Sequence, residues 1–388
     1  MRTDYKVLGD YIQLVDQRNR DLSVTNLLGV SIEKRFIPSI ANIVGTDLSS
    51  YKIVRTGQFA YGPVTSRNGE KISIAYLDGE DCIISSSYTV FEVTKKDQLD
   101  SEYLMLWFSR PEFDRYARYK SHGSVREIFD WNELCAVELP VPAIEEQRNI
   151  VKAYKAITDR IALKKQINDN LEATAQAFFQ EQFASYYGAS ELPEGWKIVD
   201  LDSLCTVKGG KRLPADCELL DTPTNHPYIR VRDVGNSRYV CLTNQFQYID
   251  EETHAAISRY IVNAGDIVIS IVGTIGLIGK VHTSLDKANL TENCVKLADI
   301  HTVTSDYLYY TLCYKKQIKE IELLTVGAVQ AKLPMYNIQS MKILVPPKAV
   351  IEEFQKKIDT FNGQIEANTI EIQRLNELQE ILLAKLSD

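Results

Sequence analysis

The last forty residues of the chain carry its most regular hydrophobic pattern. From Ile351, alternate steps of three and four residues reach eleven positions, and nine of them are apolar. Such a heptad seam predicts a long coiled-coil helix over residues 347–388. The predicted seam consists of Ile351, Phe354, Ile358, Phe361, Ile365, Ile372, Leu375 and Leu382. Because a seam of this length needs a partner, another helix must cover it, in this chain or in a second copy.

An earlier segment of the chain opens in the same way. Residues 139–147 and 344–353 both read as an apolar strand, a proline break and then Ile-Glu-Glu. Proline and carboxylates are typical of a helix start, where the first N–H groups have no partner within the helix. The earlier copy predicts a second long helix over residues 143–187. Its seam is less regular, and Lys164, Lys165 and Asn168 interrupt it.

The similarity extends upstream of both helices. The pairs Tyr103 and Tyr307, Gly123 and Gly327, and Pro142 and Pro346 are each 204 residues apart, and residues 53–57 resemble residues 261–265 at a spacing of 208. A period near 200 residues indicates a duplicated domain and not a solenoid of short repeats.

We therefore predict an α+β fold with a pseudo-two-fold internal repeat. Two globular α/β domains, over residues 1–142 and 188–346, are separated by two long antiparallel coiled-coil helices. The helices pair in opposite directions because the first leads away from domain one and the second must return to meet it. Within the domains, the sequence predicts a helix over residues 101–118 and a strand over residues 228–232.

Composition and charge exclude several classes of protein. The net charge of −8 argues against a protein that coats nucleic acid or membrane by bulk charge. The seven cysteines are scattered, which predicts free thiols in a reducing cytoplasm. We expect no metal site, because the five histidines cluster neither with cysteines nor with each other. We also expect no signal peptide and no membrane span.

Catalytic motifs are missing from the sequence. There is no GxGxxG, GxSxG or HExxH pattern, and no Asn/Asp-Pro-Pro-aromatic tetrapeptide of the kind that positions an amino group for methylation. We therefore predict a protein that is not an enzyme, with no catalytic residues and no cofactor of its own.

Basic and polar turns are better candidates for function. Lys208, Lys211 and Arg212 lie on a glycine-rich stretch that reads as a flexible turn able to follow a phosphate backbone. Arg230 and Arg232 alternate with apolar residues, so both could project from one strand face into a DNA groove. Further candidates are Thr274 and Gln330 in domain two, and Lys34, Arg35, Arg67, Asn68, Ser124 and Arg126 in domain one. The alternative, that these are ordinary solvated turns, stays open.

At this point the chain resembles the specificity subunit of a type I restriction-modification enzyme. Three blocks of domain two carry the resemblance: Gly327-Ala328-Val329-Gln330, then Ile343-Leu344-Val345-Pro346-Pro347, then Ile351-Glu352-Glu353. The matching blocks of domain one are Gly123-Ser124-Val125-Arg126, then Leu139-Pro140-Val141-Pro142, then Ile144-Glu145-Glu146-Gln147-Arg148. Residues 208–214 and 228–231 also resemble the opening of many recognition domains. The second junction departs from the family pattern, because Phe354 stands where glutamine is usual.

The resemblance implies a sequence-specific DNA-binding subunit that reads a split target, with one half-site for each domain. The implied partners are double-stranded DNA, two methyltransferase subunits that carry S-adenosylmethionine, and a restriction and translocase subunit. A rod of about 55–60 Å would match about one and a half turns of DNA. Two other interpretations remain open: a coiled-coil scaffold that dimerises through the seam, and a duplicated peptide- or glycan-binding module.

Overall fold

The computed structural model describes residues 5–39, 45–66, 68–69, 71–123, 126–235, 237–243, 245–327 and 331–386. These residues form two compact units. Unit 1 contains the described part of Met1–Ala162 and Arg374–Asp388, and unit 2 is Leu163–Gln373. No helix within the described residues is long and apolar enough to cross a membrane.

Unit 1 is built from short strands and three short helices, followed by the start of a long helix. The strands are β1 (Tyr5–Val7), β2 (Ile12–Val15), β3 (Leu28–Val30), β4 (Phe36–Pro38), β5 (Lys52–Val54), β6 (Phe59–Tyr61), β7 (Ile74–Tyr76), β8 (Cys82–Ile84), β9 (Thr89–Val93) and β10 (Glu138–Pro140). The helices are α1 (Ser101–Phe108), α2 (Pro111–Tyr119), α3 (Trp131–Cys135) and the long α4 (Ile144–Phe183).

The central sheet of unit 1 is antiparallel, in the order β2-β9-β6-β7. One of its faces packs against α1 and α2 through an aromatic core in which Phe59 stacks on Phe91 and meets Phe108 edge-on. Separate antiparallel pairs, β3-β4, β5-β8 and β1-β10, complete the unit.

Unit 2 repeats this plan with additional segments. Its strands are β11 (Lys197–Asp200), β12 (Thr206–Gly209), β13 (Tyr228–Ile229), β14 (Tyr239–Val240), β15 (Ile267–Ser270), β16 (Ile278–Val281), β17 (Asn289–Leu290), β18 (Cys294–Ala298) and β19 (Lys342–Val345). Its helices are α5 (Glu251–Ile257), α6 (Ser305–Leu312), α7 (Lys315–Leu324) and α8 (Met335–Gln339), and the long helix α9 (Lys348–Lys385) begins here. The central sheet has the order β12-β18-β15-β16-β14.

Equivalent residues of the two copies make equivalent contacts. Gly57 and Gly265 both take a positive φ, 94° and 89°, in a turn that leads into the central strand of each sheet. Glycine suits the third position of such a turn because it has no Cβ to clash there. The Tyr103 hydroxyl donates to the carbonyl of Pro140, and the Tyr307 hydroxyl to that of Leu344, again 204 residues on. The internal repeat is therefore confirmed at the level of contacts.

The two long helices pair antiparallel within each unit. In unit 2, Phe178 stacks on Phe354 and Asn168 meets Asn368, so residue numbers rise along α4 as they fall along α9. In unit 1, Gln379 donates to Thr158, and Leu386 belongs to the same apolar core as Val151. The partner that the heptad seam requires thus lies in the same chain, and no second copy is needed to cover it.

The predicted seam residues face inward in the structure. Ile351, Phe354, Ile358 and Ile365 are buried, and Phe361, Ile372, Leu375 and Leu382 are half-buried. In unit 2 the first three belong to one core with Phe179 and Phe183 of α4.

Two predicted elements are wrong in detail. The helix over residues 101–118 is broken into α1 and α2 at Arg110, because the following Pro111 disfavours helical backbone at the residue before it. The strand over residues 228–232 ends at Ile229. Residues Val231–Asp233 turn into a 3₁₀ helix, since the Asp233 carboxylate accepts from the backbone N–H of Arg230 at 2.8 Å.

Candidate nucleic-acid interface

The candidate residues of domain two gather at one end of the central sheet of unit 2. Strands β12 and β15 end there, and the antiparallel strands β16 and β18 begin there. We call this end, formed by residues 209–212, 271–277, 289–294, 326–327 and 331–333, the loop end of unit 2. Since loops carry binding residues positioned by the sheet behind them, this end is the natural place for a recognition surface.

The basic stretch at residues 208–212 lies along the start of β18 and is not a flexible turn as predicted. Lys208 is inside β12, opposite Lys296. A side chain at Gly210 would place a Cβ 2.1 Å from the carbonyl oxygen of Thr291, so only glycine fits this close approach. The backbone N–H of Lys211 donates to the Leu290 carbonyl at 2.8 Å. The stretch is therefore fixed in place, and it holds the exposed side chains of Lys211 and Arg212 at the loop end.

Arg212 is partly neutralised where it lies. Its Nε donates to the Glu292 carboxylate at 2.8 Å, and this bond and charge raise the pKa of the guanidinium. The contact is exposed to solvent, so a phosphate could replace the carboxylate at little cost.

Arg230 and Arg232 reach the same end through β13. The N–H of Thr291 donates to the carbonyl of Ile229, which joins the segment to the loop end. The half-buried guanidinium of Arg230 donates to Asp233 and Gln247, whereas Arg232 is exposed and donates to the Gln245 carbonyl at 3.3 Å. The two arginines therefore do not share a strand face, and Arg232 is the more accessible of the two.

A short hairpin completes the loop end. Val326 and Lys332 exchange two backbone hydrogen bonds of 2.8 Å, and Lys332 also bridges Val272, next to the exposed Thr274. Gly327, with φ 102°, starts the loop that this pair closes. Gln330 belongs to the same loop but lies outside the described residues.

Unit 1 repeats this hairpin in the equivalent place, and we call its described residues 64–66, 68–69, 121–123 and 126–128 the loop end of unit 1. His122 and Ile128 exchange two backbone hydrogen bonds, and Ile128 bridges Val64 as Lys332 bridges Val272. The exposed Arg126 lies in the loop that they close. The Thr65 hydroxyl donates to Ser121 at 2.8 Å, which ties the loop containing Asn68 to the hairpin. The candidates Arg67 and Ser124 lie outside the described residues.

Lys34 is not available for DNA, contrary to prediction. Its backbone takes φ 59°, and its side chain is nearly buried, with Nζ donating to the Phe108 carbonyl and to the Asp114 carboxylate. Burial lowers the pKa of this amine, although Asp114 opposes the effect. Arg35 remains exposed beside Glu33, and Glu33 pairs with Lys71. The β3-β4 turn thus lies beside the loop that contains Asn68.

Two exposed hydrophobic side chains beside the hairpins were missed by the sequence analysis. Tyr119 at the end of α2 is 81% exposed, and Leu323 near the end of α7 is 77% exposed. They are 204 residues apart, and each precedes its hairpin by three residues. The repeat spacing could have found them, because a large apolar residue recurs at the same place in both copies. Such a side chain can contact a thymine methyl group or wedge between base steps.

The site offers groups that can bind a nucleic acid. Among the described residues, no group of three or more His, Cys, Asp or Glu could hold a metal ion. Both units carry exposed basic side chains on turns held by backbone hydrogen bonds, Arg35 and Arg126 in unit 1 and Lys211, Arg212 and Arg232 in unit 2. This is the chemistry of a surface that recognises phosphates and base edges.

Comparisons with known proteins agree with this description. The family model for the type I restriction modification DNA specificity domain matches residues 42–173 and 193–383. The MjaIX specificity subunit of Methanocaldococcus jannaschii is 24% identical over 76% of this chain and 70% of its own length. The HindI specificity subunit of Haemophilus influenzae is 20% identical over 89% of each chain.

Solved structures show the same fold. The S subunit of a type I restriction-modification system from M. genitalium superposes with a TM-score of 0.51 at 14% identity, covering 99% of this chain and 96% of that one. Since the specificity-domain model matches both copies of the repeat, this chain belongs to the family of type I restriction-modification specificity subunits.

Proposed function

We propose that this chain reads a bipartite DNA target, with one half-site recognised at the loop end of each copy. The two recognition domains are residues 1–142 and 188–346. The helices at residues 143–187 and 347–388 set the separation of the half-sites. One observation carries the proposal: the same hairpin, closed by the same pair of backbone hydrogen bonds and bridged to the same strand-end loop, occurs in both copies.

The side chains divide by the kind of contact they can make. We assign Lys208, Lys211 and Arg212 to phosphate contacts, since they lie along one fixed stretch of backbone. Arg232, Thr274 and Gln330 are the proposed base contacts of domain two, and Arg230 holds the segment that carries Arg232. In domain one the proposed contacts are Arg35, Arg67, Asn68, Ser124 and Arg126. Tyr119 and Leu323 add apolar contacts at the two edges.

The chemistry belongs to partner subunits. Two methyltransferase subunits, one for each copy of the repeat, would bring S-adenosylmethionine, and a translocating nuclease subunit would cleave. The net charge of −8 predicts weak DNA binding by this chain alone. The partners would then supply much of the phosphate contact. We place this assembly in the cytoplasm, where its seven free thiols would stay reduced.

The test compares one arginine from each loop end. The chain is co-expressed with its methyltransferase subunit in a host without other DNA methylation, and the methylated motif is mapped by sequencing. Arg232→Ala should relax base preference in one half-site and Arg126→Ala in the other, each by about 1–3 kcal/mol of discrimination. Arg148→Ala is the control, because this exposed side chain pairs only locally with Glu145 on α4. Equal loss at both half-sites from either substitution would contradict the proposal.

A further inference from the structure

A buried ionic cluster joins the globular part of unit 2 to both long helices. Its centre is Arg238, whose side chain is 2% exposed and which lies just before β14. The guanidinium donates to the Asp306 carboxylate of α6, to the Tyr310 hydroxyl at 2.8 Å and to the Asn362 amide oxygen of α9. We call this set the Arg238 cluster. Its members are Arg238, Lys280, Asp306, Tyr310, Glu172, Gln355 and Asn362.

Asp306 is the acceptor that the rest of the cluster surrounds. Its Oδ1 accepts from Arg238 and Lys280, and its Oδ2 accepts from Gln355 at 2.7 Å and from Asn362 at 2.8 Å. Burial would raise the pKa of this carboxyl, but the two cations and the amide bonds outweigh it and hold the pKa at about 2.

The cluster balances its charges across separate elements. Glu172 of α4 lies 3.6 Å from Arg238 and accepts from the Tyr310 hydroxyl at 3.3 Å. Two cations therefore face two carboxylates. The cations come from the segment before β14 and from β16, and the carboxylates come from α6 and α4. Helix α9 adds two amide side chains. These contacts form together only when the globular part takes one orientation on the helices.

Such a cluster fixes orientation more than it adds stability. Removing two charges from water costs about as much free energy as their attraction in the interior returns. Apolar side chains of similar size often stabilise the fold equally well in the same place. Apolar packing is already present beside the cluster, where Phe179 of α4 and Phe354 of α9 meet Tyr307 and Tyr310. The buried charges therefore need another explanation, and geometric specificity is the one that buried polar groups offer.

The anchored segment is continuous with the proposed base contacts. Arg232 precedes Arg238 by six residues, and after β14 the carbonyl of Leu242 accepts from the Gln373 side chain of α9 at 3.3 Å. The segment is thus tied to α9 at Asn362 and at Gln373, about 16 Å apart along the helix. A second tie of this kind prevents rotation about the first.

We propose that Arg238 is a positioning residue that fixes the Arg232 segment on the helix pair, and thereby the distance at which the second half-site is read. The inference rests on the proposed function, in which the helices set the separation of the half-sites. Arg238 acts through the segment it anchors and does not touch DNA.

The test measures how strictly the complex selects the spacer length between the half-sites, separately from the bases that it prefers. The full chain and its methyltransferase subunit are expressed in a methylation-free host, and methylation is quantified at sites whose spacer has the wild-type length or is one base pair shorter or longer. Arg238→Met should reduce discrimination against the altered spacers by about tenfold and leave the base preference of both half-sites unchanged. Arg238→Lys, which keeps the charge next to Asp306, should restore part of the strictness.

A second variant covers the case in which Arg238→Met fails to fold. Asn362→Leu leaves Arg238, Lys280 and Asp306 paired with one another and removes the direct bond from Arg238 to α9, while Gln355 of α9 still donates to Asp306. It should therefore relax spacing in the same direction, by less than Arg238→Met. Arg148→Ala is the surface control and should change neither property.

Three outcomes would overturn the inference. The first is methylation that falls by the same factor at every spacer length, and the second is selection of spacer length that stays strict in both variants. The third is a loss of base preference at the second half-site. Each would mean that the cluster only supports the fold. A wild-type complex without any bipartite methylated motif would instead overturn the proposed function itself.

Discussion

The two junctions between a globular part and its long helix share a backbone but not the side chains that secure it. In both, a tyrosine of the first helix after the sheet donates to the carbonyl two residues before the helix-opening proline. Both of these helices are also capped by a polar residue, Asp100 or Thr304, at equivalent positions. The residue one turn into each long helix differs completely, being Gln147 in the first copy and Ile351 in the second.

Gln147 secures the first junction through local backbone bonds. Its side chain is fully buried, accepts from the N–H of Asp100 at 2.9 Å, and donates to the carbonyls of Gln98 and Pro142 at 2.8 Å each. One amide thus satisfies three backbone groups that would otherwise be buried without partners.

The second junction replaces this amide with apolar packing and a distant ionic cluster. Ile351 joins the core of unit 2, and the acidic residue of the adjoining helix, Asp306, enters the Arg238 cluster. The equivalent Glu102 in unit 1 instead makes an exposed pair with Lys155. A duplicated backbone can therefore be kept by unrelated side-chain solutions, and the ionic one constrains orientation across several elements at once.

The largest expected effect comes from neutralising the acidic residue at this position of each copy. Asp306→Asn keeps the shape of the side chain but leaves Lys280 without its carboxylate and Arg238 with Glu172 alone, which should destabilise unit 2 by about 3–5 kcal/mol. Glu102→Gln removes only an exposed pair and should cost less than about 1 kcal/mol in unit 1. Hydrogen exchange of the α6 and α1 amides measures the two effects separately. Similar losses in both helices would mean that the two acids are equivalent after all.

A pH effect should follow from the same carboxylate. The folded pKa of Asp306, about 2, is below its ordinary value of 3.8, so its contribution is complete above about pH 4 and is lost as the pH falls towards 2. The loss amounts to about 2 kcal/mol. Burial raises the pKa of Glu172, so the pH dependence of its contribution to stability has the opposite sign. That contribution is present at low pH and is lost as the pH rises through the folded pKa.

The measurement is the unfolding free energy of unit 2 between pH 5 and pH 2.5, in the wild type and in Asp306→Asn. The difference between the two should shrink by about 2 kcal/mol across this range, because the variant has no carboxyl at this position. A difference that stays constant would show that the pKa of Asp306 is the same in the folded and the unfolded protein.

A smaller effect is expected at the first junction. Gln147→Met preserves volume but leaves the Asp100 N–H and two carbonyls without partners, which should cost about 2 kcal/mol. The matched change Ile351→Met loses no hydrogen bond and should cost less than about 1.5 kcal/mol. Hydrogen exchange of the amides at the start of α4 and of α9 measures the loss of stability in the two variants. If Ile351→Met were the more damaging, packing and not backbone bonding would distinguish the junctions.

The sequence allowed the repeat, the junctions and the long helices to be predicted, because these depend on local pattern. Heptad spacing, prolines and the 204-residue offset are visible without tertiary contacts. The break at Pro111 was also accessible, since the residue before a proline leaves the helical region.

Tertiary contacts were not accessible in this way. Nothing near Arg238 in the sequence marks it as buried, because its partners come from residues 172, 306, 310 and 362. Lys34 likewise reads as a surface lysine until Phe108 and Asp114 are brought to it. The candidate site was therefore predicted as a set of loops more reliably than as a set of side chains.

The smallest effect concerns a polar contact between α4 and α9 in unit 2. Lys164 and Asn368 are equivalent positions, 204 residues apart, and they contact each other: Lys164 Nζ donates to Asn368 Oδ1 at 2.9 Å. Asn368, 1% exposed, also donates to Asn168 at 2.8 Å. An exact repeat would have placed two identical side chains at this contact. The difference between the copies supplies a donor and an acceptor instead.

Asn368→Leu tests what this polar contact contributes. Since a single polar residue in a coiled-coil seam fixes register at a cost in stability, the variant should change the unfolding free energy by about 1 kcal/mol or less and should loosen the register. A photo-crosslinking residue at Leu163 reads the register: one set of α9 peptides in the wild type, and a second set displaced by three or four residues in Asn368→Leu. Glu366→Leu, on the exposed face of α9, controls for the added leucine. One unchanged set of crosslinks would show that apolar packing alone fixes the register.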